Sequence, residues 1–197
     1  WTLVLKAEND IQLVGWQRTY NFSYDSAYWT NDATLNPDSP GFNTTEAKLQ
    51  SFNTVPFTQI MVGLAPVGTI TTKYINIPVA SPSMHALMNS GENILTNAGS
   101  AAWLATLADS SVGQYCNTEG FNINQTFVKV RIGIIGDQNN DCSSYDSWLG
   151  VGSNSYGGWG LSPGIAVGNS SQCISGEGLL SCFSNKNISA FGYVFVR

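Results

Sequence analysis

Apolar side chains recur along this chain at two different periods. Residues 1–7 (WTLVLKA), 57–64 (FTQIMVGL), 70–77 (ITTKYINI), 127–135 (FVKVRIGII) and 191–196 (FGYVFV) are rich in aromatic and β-branched residues, and each predicts a β-strand. The first and last of these runs lie at the two ends of the chain and are expected to be neighbours that tie the termini together. Between them the spacing lengthens. Ser81-Pro82 has the chemistry of a helix start, and Met84, Leu87 and Met88 then follow at helical spacing until Gly91 stops them. A second helix is expected over residues 100–108, burying Trp103, Leu104 and Leu107. Strands at both ends with helices between them predict an α+β fold with a central antiparallel sheet. No repeat or low-complexity linker divides the chain, so residues 1–197 read as a single domain.

The pattern changes late in the chain. From residue 129 to 160 a strand-like apolar segment runs into Asp, Asn, Ser, Gly and aromatic side chains, and residues 147–176 hold no charged residue at all. A loop-rich subregion over about 136–183 is the expectation, and loops of that length usually carry a site or an interface.

Composition narrows the class. The chain of 197 residues is 43% hydrophobic, enough to bury a sizeable core, but only 11% charged, against about 25% in ordinary soluble domains. Neutral polar side chains, glycans or neighbouring subunits must therefore cover the surface. The formal charge of -5, with eight scattered Lys and Arg, excludes a nucleic-acid partner, because phosphate binding needs clustered cations. No apolar run reaches the roughly 20 residues of a membrane span, and the best, 60–68, is interrupted by Pro66. Trp1 opens the chain inside a strand pattern with neither an initiator Met nor a signal segment, as expected of a processed or excerpted piece.

Cys116, Cys142, Cys173 and Cys182 lack the paired spacing of a zinc site and read as two disulfides. Three connectivities are open; Cys116–Cys142 with Cys173–Cys182 is preferred because each closes a compact local loop. N-x-S/T sequons begin at Asn21, Asn43, Asn124, Asn169 and Asn187. Disulfides and sequons together predict an extracellular compartment, secreted or at a cell surface.

Two sets of side chains carry candidate chemistry. Asp137, Asn139, Asp141 and Asp146 offer hard oxygen ligands, and a turn that gathered them would suit calcium; the alternative is that they are ordinary Asx residues that end a strand on their own backbone. Trp148, Tyr156 and Trp159 stand among glycines as flat rings for a sugar face, or as core. Catalysis is not expected. His85 is the single histidine and sits in a helical run, residues 150–160 lack the Lys of a phosphate loop, and nothing sets the separation of carboxylate pairs such as Asp141 with Asp146 or Glu119 with Asp137.

The blocks WTLVLKA at 1–7, YDSAYWTN at 24–31, TVPFTQIMVGL at 54–64, NTEGFN at 117–122, RIGIIGDQNNDCSSYDSWLGVG at 131–152 and GYVFV at 192–196 resemble, in that order, the fibrinogen-related domains of invertebrate secreted and cell-surface proteins. The resemblance implies a fibrinogen C-terminal-like fold with short helices on a central sheet and a loop-built ligand region late in the chain. It implies a calcium loop of the D-x-D-N-D type before a Gly-Gly-Trp segment and a cysteine bridge. Here the corresponding residues are Asp137-Gln138-Asn139-Asn140-Asp141, Gly157-Gly158-Trp159, and Cys173 with Cys182, with Asn139 standing where the pattern has a carboxylate. Glycans or similar polar extracellular ligands are the implied partners, bound by oligomers. A second expectation comes from the low charge, the sequons and the strand-like termini: a glycosylated subunit that self-associates into a filament or sheath by pairing its terminal strands with the next copy.

Overall fold

A computed structural model of the protein describes residues 1–9, 12–14, 17–69, 72–155, 165–171 and 186–197. Ten of the described strands form one antiparallel sheet: β1 (Thr2–Ala7), β4 (Ala47–Lys48), β5 (Phe57–Pro66), β6 (Lys73–Ser81), β7 (Ile94–Leu95), β8 (Tyr115–Asn124), β9 (Val128–Asp137), β10 (Ser147–Ser155), β11 (Val167–Ser171) and β12 (Lys186–Val196). A separate two-stranded ribbon joins β2 (Gln12–Val14) to β3 (Gln17–Thr19). The helices are short: α1 (Gln50–Thr54), α2 (Met84–Asn89) and α3 (Ser100–Leu104). The fold is mostly β, and the helical middle of the chain is smaller than its sequence predicts.

The last strand organises the sheet. β12 has 11 residues, long enough for its first part to pair with β11 through Lys186–Ser189 while Ala190–Val196 pairs with β5. The edge of β12 opposite β5 takes β1, with Thr2 facing Val196 and Ala7 facing Gly192, so the two ends of the chain are neighbours as the sequence predicts. The strands order as β4-β1-β12-β11-β10-β9-β8-β7, with β5 and β6 branching from β12. The terminal strands, expected from the sequence to pair with the next copy, both lie inside this sheet. Both edges of β12 are paired within the chain, and the outer edge of β1 meets β4 and accepts hydrogen bonds from Leu49 N at Val4 O and Ser51 Oγ at Leu3 O.

Alternation along the strands divides the apolar side chains between two faces. On one face Val194, Val62, Ile134, Leu149 and Val151 pack with Trp29, Phe52, Met84, Met88 and Trp103 from the helices and the N-terminal segment. On the other, Ile135, Tyr145, Trp148 and Ile165 form a second cluster, and Phe191, Tyr193 and Phe195 a third. Burial on both faces explains the neutral late stretch. Residues 147–154 and 165–171, expected as loop, are largely strands β10 and β11, and all but the half-buried Asn154 are buried. Charge is absent there because neither face meets water.

Helix starts follow local capping. Ser83, not Ser81, caps α2, its hydroxyl accepting from Ala86 N at 3.0 Å. The carboxylate of Glu119 accepts from Gly99 N at 3.1 and 3.0 Å and so holds the start of α3. Arg131 is buried in β9, where Nε donates to Tyr24 O at 2.8 Å, Nη1 donates to Asn122 Oδ1 at 2.7 Å, and the guanidinium lies 4.3 Å from the Tyr24 ring centroid. Asn122 in turn donates to Leu87 O and Glu92 O, joining β8 and β9 to the end of α2. Every buried donor in that set has an acceptor, which is the condition for a polar core to stabilise rather than loosen a fold.

Candidate functional site

The turn between β9 and β10 is stapled at its base. Cys116 and Cys142 are joined by a disulfide, as preferred from the sequence. The β8–β9 register shifts between Tyr115 and Thr118, and Cys116 takes a positive φ of 54°, a bulge that kinks the strand where the bridge leaves it. Cys173 and Cys182 lie outside the described residues.

Four candidate ligands sit in or beside this turn and divide into two pairs. Asp137 is fully buried and Asp146 is 4% exposed, whereas Asn139 and Asp141 are exposed. Asp137 Oδ2 accepts from Asn139 N at 2.8 Å and Asp141 N at 2.9 Å, an Asx-type cap that folds the turn over it. Asp141 turns outward to Ser143 and Ser144, each hydroxyl donating to it at 2.6 Å, and these bonds lower its pKa. Asp146 Oδ2 accepts from Gln138 N at 3.3 Å. Burial first, and then the charge of Asp137, push the Asp146 carboxyl up to about 7.

Gly113 closes the buried side: a Cβ there would sit 2.3 Å from the Asp137 carbonyl carbon, so only glycine lets that segment approach. Asp137 Oδ1 and Asp146 Oδ1 are buried without hydrogen-bond partners. Each of the two acids therefore has a buried oxygen that a proton or a cation would satisfy. Asn139 and Asp141 do not join them, and no group of three or more His, Cys, Asp or Glu side chains able to hold a metal occurs among the described residues. The four-residue shell expected from the sequence is therefore not assembled.

The other candidates scatter. Trp148 is fully buried in the second cluster, so the expectation of a ring exposed for stacking fails for it; period-2 alternation in β10 sends it to the face covered by Ile135 and Tyr145. Tyr156 and Trp159 lie outside the described residues. His85 Nε2 meets Thr30 O at 3.0 Å and Nδ1 lies 3.6 Å from Asp32, contacts that dock α2 on the N-terminal segment. Among the sequons, Asn169 is fully buried and donates to Ser111 O at 2.9 Å and Trp148 O at 2.6 Å, which corrects its assignment as a glycan carrier: a sugar on that nitrogen is incompatible with this fold. Asn21 donates to the buried Glu46 at 2.7 Å, while Asn43, Asn124 and Asn187 are exposed.

A second site has no counterpart among the sequence candidates. On the outer face of β12, β5 and β6 a pocket of about 380 Å³ is lined by Phe42, Tyr74, Phe191 and Tyr193, with Glu8 and Thr44 among its polar walls. Gly63, opposite both Tyr193 and Tyr74 in the sheet, opens its floor: a Cβ there would come within 2.5 Å of the Tyr74 ring. Phe42 is 69% exposed and Tyr74 42%, yet the Phe42 ring lies 5.4 Å from that of Tyr193 and 5.7 Å from that of Phe195. Lys6, the cross-strand neighbour of Tyr193, donates from Nζ to Asn43 Oδ1 at 2.5 Å and so holds the loop that carries Phe42. Burial, then Tyr74 and Glu8, raise the pKa of Tyr193, which keeps its hydroxyl a neutral donor. The one signal in the sequence was the strand alternation of FGYVFV, which puts three aromatic rings on one face.

Fold and sites together define a mostly-β domain built on one large antiparallel sheet with a few short helices, a disulfide-stapled acidic turn and an open aromatic pocket. No family model, no curated protein and no solved structure matches the chain. No described helix is long and apolar enough to cross a membrane.

Proposed function

We propose that this chain is a non-enzymatic extracellular recognition domain of the fibrinogen-related type, secreted or at a cell surface, that binds glycans or similar polar ligands with the help of calcium. The observation that carries the reading is the turn at 137–146: a bridge between Cys116 and Cys142 anchors it, its exposed oxygens face solvent, and two buried acids beneath it each have an orphaned oxygen. Asp137 and Asp146 would hold the cation, which neutralises two acids that burial otherwise sets against each other. A rigid turn over a neutralised pair presents its outer polar groups in one arrangement, and that lowers the ordering cost of binding a flexible sugar. The disulfide and exposed sequons suit an oxidising compartment. The fibrinogen-related identity itself rests on the order of the sequence blocks.

The test is retention of the secreted protein on a glycan array with calcium, with chelator, and for Asp146→Asn. Retention is expected to rise with calcium and to fall with chelation or in the variant, while melting temperature is expected to rise with calcium in the parent chain and to be indifferent to it in the variant. Retention that ignores both removes the cation from the reading; absence of any retained glycan or polar ligand removes the recognition function.

A further inference from the structure

The aromatic pocket carries a modification signal on its own rim. Asn43-Thr44-Thr45 is an N-x-T sequon, and the residues on either side of Asn43, Phe42 and Thr44, both line the pocket. The amide is also oriented. Asn43 Oδ1 accepts from Lys6 Nζ at 2.5 Å, Thr45 N at 3.1 Å and Ser39 Oγ at 3.2 Å, while Nδ2 donates to the half-buried Ser39 hydroxyl at 3.1 Å. A glycosylated asparagine keeps its carbonyl oxygen and one N–H, so every one of these contacts survives attachment. No other sequon shares this setting. Asn169 is buried, Asn21 turns its nitrogen to the buried Glu46, and the residues on either side of Asn124 and Asn187 do not line the pocket.

We propose that Asn43 carries an N-linked glycan whose first sugars lie in this pocket against Phe42 and Tyr74, so that the chain's own glycan covers its outer aromatic face. The inference rests on the extracellular reading, since the glycan must be added in the secretory compartment. There the Asn43 Nδ2 forms a bond to the anomeric carbon of a lipid-diphosphate-linked oligosaccharide. The C1–O bond breaks, the lipid diphosphate leaves with the bonding pair, and the amide loses one proton to the cell's transferase. Pyranose rings present an apolar C–H face that stacks on aromatic rings, and their hydroxyls need polar partners at the edge. The pocket offers both: partly exposed Phe42 and Tyr74 beside Tyr193, with Thr44, Thr72 and Glu8 around them. Its volume of about 380 Å³ falls in the ~300–1,000 Å³ range of ligand-sized sites. An exposed Phe held on two other rings is costly as bare surface and useful as a stacking wall.

The test uses the full chain secreted from a host that performs N-glycosylation, trimmed enzymatically to one sugar per site. Peptide mass mapping is expected to show Asn43 occupied, with the sugar protons at that site shifted upfield by ring currents. Thr45→Ala removes this sequon alone and is expected to lower the melting temperature by about 2–4 °C; in a Phe42→Ala background the same change is expected to have no effect. Asn43 unoccupied while Asn124 or Asn187 is occupied overturns the proposal and leaves the extracellular reading standing. Asn43 occupied, with unshifted sugar protons and unchanged melting in Thr45→Ala, overturns the packing of the glycan. A secreted chain bare at every sequon overturns the glycoprotein reading with it.

Discussion

Trp148 lies two residues before Gly150 and Phe42 directly after Gly41, yet one is fully buried and the other 69% exposed. The turn at 137–146, next to Trp148, is crowded with polar side chains, and it uses most of them on itself: Asp137 caps Asn139 and Asp141, and Asp141 holds two serines. The loop at 41–45 has little to mark it in the sequence. It lays an aromatic ring over Tyr193 and Phe195 and leaves that ring open to water. Chemical density in a loop is therefore a poor guide to what it presents, because short polar side chains satisfy nearby backbone first, whereas a ring is exposed only when its neighbours leave it no cavity to fill.

The contrast is sharpest in stability. Trp148→Ala empties a closed cluster and is expected to cost about 3–5 kcal/mol, whereas Phe42→Ala in the unglycosylated chain removes a ring already mostly in water and is expected to change stability by less than about 0.5 kcal/mol. Denaturant melts of the two variants compare them directly; equal losses would mean the two rings are equally packed. Next in size is the staple. Cys116 and Cys142 are 26 residues apart, and replacing both by Ser is expected to cost roughly 3 kcal/mol through the freed loop entropy of the unfolded chain, with the aromatic pocket unaffected. A loss of tyrosine packing around the pocket in that variant would show that the two regions are coupled.

The acid pair gives a smaller effect than the buried tryptophan or the staple, and the one with a pH signature. Asp146 has its pKa raised in the folded state to about 7 from the ordinary carboxylate value of 3.8, so between those limits the folded protein binds the extra proton. Stability is then fully present below about pH 4 and is lost as pH rises through 7, by on the order of 2 kcal/mol once solvent screening is allowed for. Asp146→Asn is expected to flatten that stretch of the curve. If calcium occupies the pair, adding it at pH 7.5 restores the lost stability in the parent chain and does nothing in the variant.

How far the sequence could be read differs between the parts of the molecule for physical reasons. The predicted strands at 1–7, 57–64, 127–135 and 191–196 appear close to where β-branched and aromatic runs place them, since a half-buried pleated surface selects such residues whatever it packs against. Strands β8, β10 and β11 were not legible, because their Gly, Asn and Ser imitate loop composition and only burial on both faces makes them strands. Helix α3 ends at Leu104, four residues short of its expected end, as a five-residue helix depends on tertiary contacts more than on its own propensity. Of the expected calcium set, proximity in sequence brought Asp137 and Asp146 under one turn, but alternation and local capping separated Asn139 and Asp141 from them.

Local chemistry by itself determined the strand character of the two ends and the Cys116–Cys142 preference, because strand propensity and short-loop closure act over few residues. Which aromatic rings meet water, which sequon nitrogens point outward and which carboxylates share a buried space were decided only when β12 drew β1, β5 and β11 together. Those outcomes depend on what covers each face of the sheet, and the covering side chains come from segments far away in the chain, as Phe42 lies over Tyr193 and Phe195.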